Sequence, residues 1–112
     1  MKTKNLILFL IFLLYGILIY SLDINLLNPS GWVSDYANLL PQSEKNKIES
    51  LISEFENKTG NEIAVVIIKS LEGNNLEDFT NRLFEKWSIG KKGKDNGIML
   101  LIALQERKIR IE

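Results

Sequence analysis

Residues 87–104 read WSIGKKGKDNGIMLLIAL. The second part of this stretch, 98–104, is entirely apolar, which is typical of a strand that is buried on both faces of a sheet. Glycines and polar residues precede it, so the chain is expected to turn sharply just before the strand begins. The pattern therefore places Asp95 and Asn96 at the edge of the sheet where this strand starts.

A second buried strand is predicted upstream. Residues 63–68 are apolar and mostly β-branched, and the run is too short for a surface helix. Between the two strands, apolar residues recur at helical spacing at Leu76, Phe79, Leu83 and Trp87. A strand, a helix and a second strand form a parallel βαβ unit, whose crossover is expected to be right-handed.

The end of the sequence predicts a hairpin. Residues 109–112 alternate between isoleucine and charged residues after a short polar turn, so they are expected to return antiparallel beside the strand at 98–104. The predicted fold class is therefore α/β, with a small mixed sheet of three strands. It contains a right-handed βαβ unit, amphipathic helices on the sheet and a terminal β-hairpin.

Residues 42–58 predict the first helix of the domain. One apolar stripe at the spacing i, i+3, i+4 and i+7 consists of Ile48, Leu51, Ile52 and Phe55. The charged residues of this segment, including Glu49, are expected to face water. Gly60 is expected to end the helix as its C-terminal cap. Pro41 stands at its start, so the first turn lacks an obvious side-chain cap.

The first 22 residues predict either a cleaved signal peptide or a retained membrane anchor. Lys2 and Lys4 precede an apolar run at 6–22 that contains no charge. Such a run is typical of an export signal, and at about 1.5 Å per residue it also approaches the roughly 30 Å of a hydrocarbon core. The flanking lysines favour a cytoplasmic N-terminus, with everything that follows exported. The run is expected to form one continuous helix without fixed packing, followed by a polar linker at 23–31.

Composition excludes several classes of function. Removing Lys2 and Lys4 from the 14 basic residues leaves 12 against 14 acidic ones, so the exported part carries a charge of about minus two. Nucleic-acid binding is not expected, because it requires a strongly basic face. The sequence contains no histidine and no cysteine, which excludes a Ser-His triad, a thiol nucleophile and a conventional zinc site.

Three stretches together carry a resemblance to a known family: 33–40 (VSDYANLL), 59–66 (TGNEIAVV) and 87–104. They resemble the TPM domain, a family found in thylakoid-lumen and bacterial envelope proteins. The resemblance covers residues 32–112. Family members continue beyond this point with further helices and usually a membrane segment, so the resemblance implies that the sequence holds the N-terminal part of a truncated TPM domain.

Asp95 and Asn96 allow two interpretations. Asp-Asn-Gly is a common turn formula, and from these residues alone a turn is favoured over a ligand. Oxygen-rich turns also suit a hard cation such as calcium, although the spacing of an EF-hand is absent. The resemblance implies a metal role, because acidic residues of TPM domains are implicated in divalent-metal binding and in a proposed phosphatase site. Asp95 and Asn96 are therefore candidate ligands for calcium or another hard divalent cation.

Asp35 and Glu112 complete the candidate metal set. The resemblance matches Asp35 to the other acidic position of the family, while an Asx-turn before the first helix is an equally good interpretation. Asp35 is expected near the carboxyl edge of the sheet, so only a return run through 37–40 would bring it towards Asp95. Glu112 is expected at the edge that carries Asp95, where an exposed charge at the strand end is the simpler interpretation.

The resemblance implies two functions of different classes. The first is an exported, envelope-associated module that binds calcium and assists the assembly or maintenance of membrane protein complexes, with the N-terminal segment contacting the membrane. The alternative is a metal-assisted phosphatase that uses a carboxylate site. No nucleophile and base occur together in the sequence, so no catalytic residue is assigned and the accessory module is favoured.

Overall fold

The structure is a computed structural model that describes residues 2–17 and 22–112. Its three α-helices are α1 (Lys2–Ile17), α2 (Gln42–Thr59) and α3 (Leu76–Trp87). Its four strands are β1 (Val33–Asp35), β2 (Glu62–Ile68), β3 (Gly97–Ala103) and β4 (Lys108–Ile111). A short 3₁₀ turn at Ile24–Leu26 precedes β1.

The strands form one sheet in the order β1-β2-β3-β4. β1, β2 and β3 are parallel, and β4 is antiparallel to β3. The predicted α/β class, the βαβ unit and the terminal hairpin are therefore confirmed, with β2 between two neighbours. The expectation of three strands was wrong, because β1 is only three residues long and too short for its alternation to be recognised.

One face of the sheet, which we call the α3 face, carries the main core. Phe79 and Leu83 of α3 are almost fully buried there against Met99 and Leu101 of β3. Ile24 and Leu27 also belong to this core, so the segment expected to be a polar linker is packed onto the domain. The 3₁₀ turn places these two residues on the same side.

The opposite face, which we call the α2 face, is only half covered. Val33 and Ile67 are buried on it, and so is Ile52 of α2. α2 contacts β1 and β2 but neither β3 nor β4. Three isoleucines of this face on the two uncovered strands are therefore exposed, by 43%, 63% and 68% respectively for Ile98, Ile109 and Ile111.

The two parallel crossovers differ in hand. The strands lie in sequence order, while α2 and α3 cover opposite faces of the sheet. A crossover that moves in the same direction over the opposite face has the opposite hand. One of the two βαβ units is therefore right-handed, and the other has the uncommon left-handed sense.

Both ends of α2 lie where the sequence predicts them, but the side chain of Glu49 does not face water as expected. Pro41 stands at the N-cap without a side-chain cap, and Gly60 ends the helix with a φ of 78°. Glu49 was expected to face water, which was wrong. Its carboxylate accepts hydrogen bonds from the backbone N–H groups of Val33 (2.9 Å) and Trp32 (3.2 Å). These two backbone donors, at the start of β1, therefore turn the side chain towards the sheet edge.

α1 is helical, as expected for the first part of the apolar run. The side chains of residues 6–11 are exposed. No helix within residues 2–17 and 22–112 is long and apolar enough to cross a membrane. Residues 18–21 of the predicted leader lie outside the described residues. Leu22, at the end of the run, packs against the core, so this last residue differs from the expectation of a leader without fixed packing.

Candidate functional site

The candidate site is the loop that connects α3 to β3, residues 88–96. Ser88 caps the C-terminus of α3 in the left-handed region, with a φ of 50°. A turn follows in which the N–H of Lys94 donates to the carbonyl of Lys91 at 3.0 Å. Asp95 then adopts a φ of 45°, a conformation that aspartate tolerates better than most residues. The loop thus turns tightly and ends directly before Gly97, the first residue of β3.

Two glycines close the neck of this loop. A Cβ atom on Gly97 would lie 2.5 Å from the backbone nitrogen of Gly90, and one on Gly90 would lie 2.8 Å from the nitrogen of Gly97. No side chain fits between two backbones at that distance. The loop is therefore held closed at its base, which limits how far the residues between the glycines can move.

Asn96 fastens the loop to the junction between α2 and β2. Its Oδ1 accepts from the N–H of Lys91 at 2.7 Å, and its Nδ2 donates to the carbonyl of Gly60 at 2.7 Å. Its backbone carbonyl accepts from the N–H of Glu62 at 2.9 Å. Both ends of the side-chain amide are thus engaged in structural hydrogen bonds, as in the turn interpretation.

Glu62 also helps to hold this loop in place, a role that the sequence analysis did not predict. Its carboxylate accepts from the N–H of Gly90 at 2.8 Å, across 28 positions of the sequence. The available signal was an acidic residue at the start of an otherwise apolar strand, because a carboxylate in this position needs a hydrogen-bonding partner. Glu62 therefore holds the neck of the loop from the side of β2.

Asp95 differs from its neighbour. Its side chain is exposed, and none of the hydrogen bonds among the described residues uses its carboxylate. It lines a cavity of about 200 Å³ together with Asn96 and the aromatic ring of Phe84. Lys91 also lines this cavity, and Lys92 and Lys94 lie in the same loop. Asp95 is therefore an unengaged acidic group on a loop that is closed at its base and otherwise basic.

Asp35 lies at the opposite edge of the sheet. It pairs with Ile67, five positions beyond the start of β2, which separates it from the Asp95 loop by about 16 Å along the strands. Its carboxylate accepts from three backbone N–H groups, those of Ala37, Leu39 and Leu40, at 3.2, 3.1 and 2.8 Å. The side chain thus forms the Asx-turn that the sequence allowed, and residues 37–40 do not bring it back towards Asp95.

Glu112 lies at the same edge as Asp95, as the hairpin predicts, but its carboxylate is engaged elsewhere. Its backbone exchanges two hydrogen bonds with Met99, at 2.9 and 3.0 Å. Its carboxylate accepts from Asn81 of α3 at 3.1 Å and from Arg110 at 3.0 Å. The hydrogen bond from Asn81, assisted by Arg110 and opposed by burial, lowers the pKa of Glu112. The group is therefore a stabilised carboxylate between β4 and α3.

The carboxyl edge of the parallel strands, where sites are common in α/β proteins, is also occupied by internal contacts. The carboxylate of Glu106 accepts from the N–H of Leu71 at 2.7 Å and from the hydroxyl of Ser70 at 3.1 Å. Burial raises the pKa of Tyr36, and its hydroxyl donates a hydrogen bond to the carbonyl of Asn28. The polar groups of this edge thus stabilise turns.

The four predicted ligands do not come together as one cluster. Within residues 2–17 and 22–112, no group of three or more acidic, histidine or cysteine side chains is placed to hold a metal ion. Calcium takes about six to eight oxygen ligands. Among the predicted set, Asp95 alone offers an unengaged carboxylate, so the described residues supply an anchor for a cation and not a complete coordination sphere.

Comparison with known proteins agrees with this architecture. A family model for the TPM domain, named TPM_phosphatase, matches residues 33–112. The chain is similar to the N-terminal domain of a protein from P. gingivalis, with 28% identity and a TM-score of 0.68, over 82% of this chain and 59% of that one. It is also similar in fold to the N-terminal domain of the cg2496 protein from Corynebacterium glutamicum, with 22% identity and a TM-score of 0.63, over 83% and 60%. The chain thus spans about three fifths of these two structures, and no curated protein matches it.

Proposed function

The chain belongs to the TPM domain family, and on that premise we propose that it is an exported accessory module for membrane protein complexes. In this proposal the carboxylate of Asp95 is a ligand for a hard divalent cation, and calcium is the first candidate. The cation links the domain to a partner that supplies the remaining oxygen ligands. The chain itself performs no reaction.

The observation that carries the cation proposal is that one of the four candidate ligands has a side chain without internal hydrogen bonds. The side-chain oxygens of the other three accept internal hydrogen bonds; these residues are Asp35, Asn96 and Glu112. The carboxylate of Asp95 accepts no hydrogen bond among the described residues, and it lies on a loop that is closed at its base by two glycines. An exposed carboxylate that makes no internal hydrogen bond can bind a cation without first breaking one, which favours a ligand role.

Electrostatics limit the affinity that this loop can reach. Three lysines, Lys91, Lys92 and Lys94, share the loop with Asp95, and they repel a divalent cation. One carboxylate among three cations is a weak cation site. We therefore expect a dissociation constant no tighter than about 10⁻⁴–10⁻³ M, the range of extracellular calcium modules.

Export and membrane contact are proposed for residues 1–22. The support is the pair of lysines before an uncharged apolar run and the exposure of the side chains at 6–11. Membrane fractionation combined with intact-mass spectrometry tests this part. A retained anchor keeps the full mass in the membrane fraction, a cleaved signal removes about 22 residues, and a full-length protein in the cytosol contradicts export.

The cation proposal is tested by thermal melts of the full chain in mild detergent, with calcium chloride or with sodium chloride of equal ionic strength. We expect calcium to stabilise the wild type by about 1.4 kcal/mol at ten times its dissociation constant. Asp95→Asn should abolish this gain, while the control Asp78→Asn on the exposed face of α3 should retain it. An equal calcium shift in wild type and Asp95→Asn would place the ion elsewhere, and no calcium shift in either would reject a cation site in this chain.

A metal-assisted phosphatase is the second candidate, and the name of the matching family model is what favours it. Such an enzyme needs carboxylates that position a cation beside a nucleophile or an activated water. No group of three or more such side chains is placed to hold a metal ion among the described residues, so in this candidate function Asp95 would be the anchor for the cation. Hydrolysis of p-nitrophenyl phosphate that requires calcium and is lost in Asp95→Asn would favour the enzyme over the accessory module.

A further inference from the structure

Residues 22–28, which we call the strap, connect the apolar run at the N-terminus to the domain. Ile24 and Leu27 of the strap are only 6% and 7% exposed, because both side chains belong to the core on the α3 face. Leu22 packs against the same core. The strap is therefore a packed part of the domain, whereas a flexible tether would leave these apolar side chains in water.

Two residues at the end of α3 fasten the backbone of the strap. The ammonium group of Lys86 donates to the carbonyl of Ile24 at 2.7 Å and to the carbonyl of Leu27 at 3.1 Å. The indole N–H of Trp87 donates to the same carbonyl of Leu27 at 3.2 Å. Hydrogen bonds from a charged donor are stronger than those between neutral groups. The strap is thus held by polar contacts as well as by its core residues.

The strap runs alongside α3 in the direction of the helix. At its start, the carbonyl of Leu22 accepts from the side-chain amide of Asn74, just before α3, at 3.1 Å. At its end, Leu27 meets Trp87, the last residue of α3. Because α3 begins after the end of β2 and ends before the start of β3, it begins at the carboxyl edge of these parallel strands. The residues that precede Leu22 therefore leave the domain over the carboxyl edge of the sheet.

Leu22 belongs to two parts of the chain at once. It is the last residue of the uncharged apolar run at 6–22, which Asp23 ends. It is also the first residue of the strap, where its side chain and its carbonyl are both in contact with the domain. The apolar run and the packed strap thus follow one another without a linker between them.

We propose that the strap holds the carboxyl edge of the sheet against the surface of the membrane that residues 6–22 enter. The proposal rests on the membrane contact proposed above for residues 1–22, with this segment retained. A bilayer that takes up the run as far as Leu22 brings its headgroups to the position where Asn74 binds this residue. The partner of the carboxyl edge is therefore the headgroup layer of the membrane that holds the chain.

The same placement puts the Asp95 loop on the side of the domain that faces away from the membrane. The loop lies at the amino edge of the sheet, and the seven residues of β2 span about 20 Å between the two edges. Headgroup phosphates do not reach a cation at that distance. The partner that completes the coordination of a cation at Asp95 is therefore a protein that extends beyond the headgroups.

Fluorescence quenching in vesicles tests this placement, since the sequence contains no cysteine. The full chain is reconstituted into phosphatidylcholine vesicles in which some lipids carry a nitroxide on the headgroup, and bimane is attached to one introduced cysteine. Lys69→Cys, directly after β2, and Lys92→Cys, in the Asp95 loop, remove the same charge at opposite edges. We expect quenching at residue 69 to be about three times stronger than at residue 92, because the edges lie about 20 Å apart. Arg82→Cys, on the exposed surface of α3, should give an intermediate value.

An insertion then tests whether the strap sets the placement. About ten residues of glycine and serine between residues 21 and 22 leave the strap intact but add a flexible tether with an r.m.s. length of about 17 Å. We therefore expect the difference between the labels at residues 69 and 92 to disappear. The same insertion ahead of Lys2 adds no slack next to the domain and should preserve the difference. Circular dichroism confirms that the domain is folded in both variants.

The outcomes that contradict the inference differ from the one that contradicts membrane contact. Equal quenching at residues 69 and 92 in the vesicle-bound chain, or stronger quenching at residue 92, would overturn the placement. Stronger quenching at residue 82 than at residue 69 would show that α3 lies on the membrane instead. A difference that survives the insertion next to the strap would show that the strap does not set the placement. A chain that fails to float with the vesicles would reject membrane contact of residues 1–22, and the inference with it.

Discussion

Asp95 and Asn96 are adjacent in sequence but perform different tasks in the folded chain. Asn96 connects Lys91 to Gly60, so its amide is part of the internal hydrogen-bond network. The carboxylate of Asp95 projects from the same loop and is exposed. A turn-former and a candidate ligand therefore occupy consecutive positions, and substitution can separate the two roles.

We predict that Asn96→Ala lowers the free energy of unfolding by about 2 kcal/mol, because two hydrogen bonds worth about 1 kcal/mol each are lost. Asp95→Asn should change it by less than about 0.5 kcal/mol, since it keeps size and tolerance for the left-handed region. Urea unfolding followed by circular dichroism measures both variants without calcium. Equal destabilisation by the two substitutions would show that Asp95 also supports the fold.

At the scale of elements, α3 and β4 are connected through polar side chains. Glu112 accepts from Asn81 of α3 and from Arg110 of its own strand. Because these contacts lower the pKa of Glu112 in the folded state, the ionised carboxylate stabilises the fold. The contribution is fully present above the usual pKa of 4.5 and is lost as the pH falls through the lower pKa of the folded state.

We predict that Asn81→Ala makes this acid-side loss of stability smaller, because it removes the largest cause of the lowered pKa. Unfolding free energies measured between neutral pH and pH 3 provide the test, and a carboxyl titration of Glu112 by NMR locates the pKa directly. Asn57→Ala, on the exposed surface of α2, is the matched control. The same pH dependence in both variants would show that Asn81 does not set the pKa of Glu112.

At the scale of the whole molecule, stability depends on β2. It is hydrogen-bonded to β1 on one side and to β3 on the other, and both faces of the sheet take core residues from it. Val66 is fully buried on the α3 face, and Ile67 is buried on the α2 face. Among the strands that the structure describes, only β2 has a parallel neighbour on each side, so damage to β2 affects the whole sheet.

We predict that Val66→Asp unfolds the domain. An unpaired buried carboxylate costs several kcal/mol, against a total stability of about 5–15 kcal/mol. The same substitution at Ile98, which is 43% exposed, should leave a folded protein. Circular dichroism and thermal melts distinguish the two, and a cooperative melt of Val66→Asp near that of the wild type would contradict the central position of β2.

The sequence by itself determined the elements that depend on local periodicity. The apolar stripes of α2 and α3, the apolar runs of β2 and β3 and the alternation in β4 each repeat within a few residues. Such patterns reflect which side of an element faces a core, and they hold whatever the element packs against. The resemblance of three stretches to the TPM domain then identified the family, which the family model confirms.

The tertiary structure alone decided which polar side chains are engaged and which are exposed. Asn96 meets Gly60 across 36 positions, and Glu62 meets Gly90 across 28, so no local pattern shows either contact. Asp35 and Asp95 look alike as acidic residues in turns, yet three backbone N–H groups surround only the carboxylate of Asp35. A hydrogen bond depends on which backbone groups approach in space, and that approach is set by the sheet register and by where each helix ends.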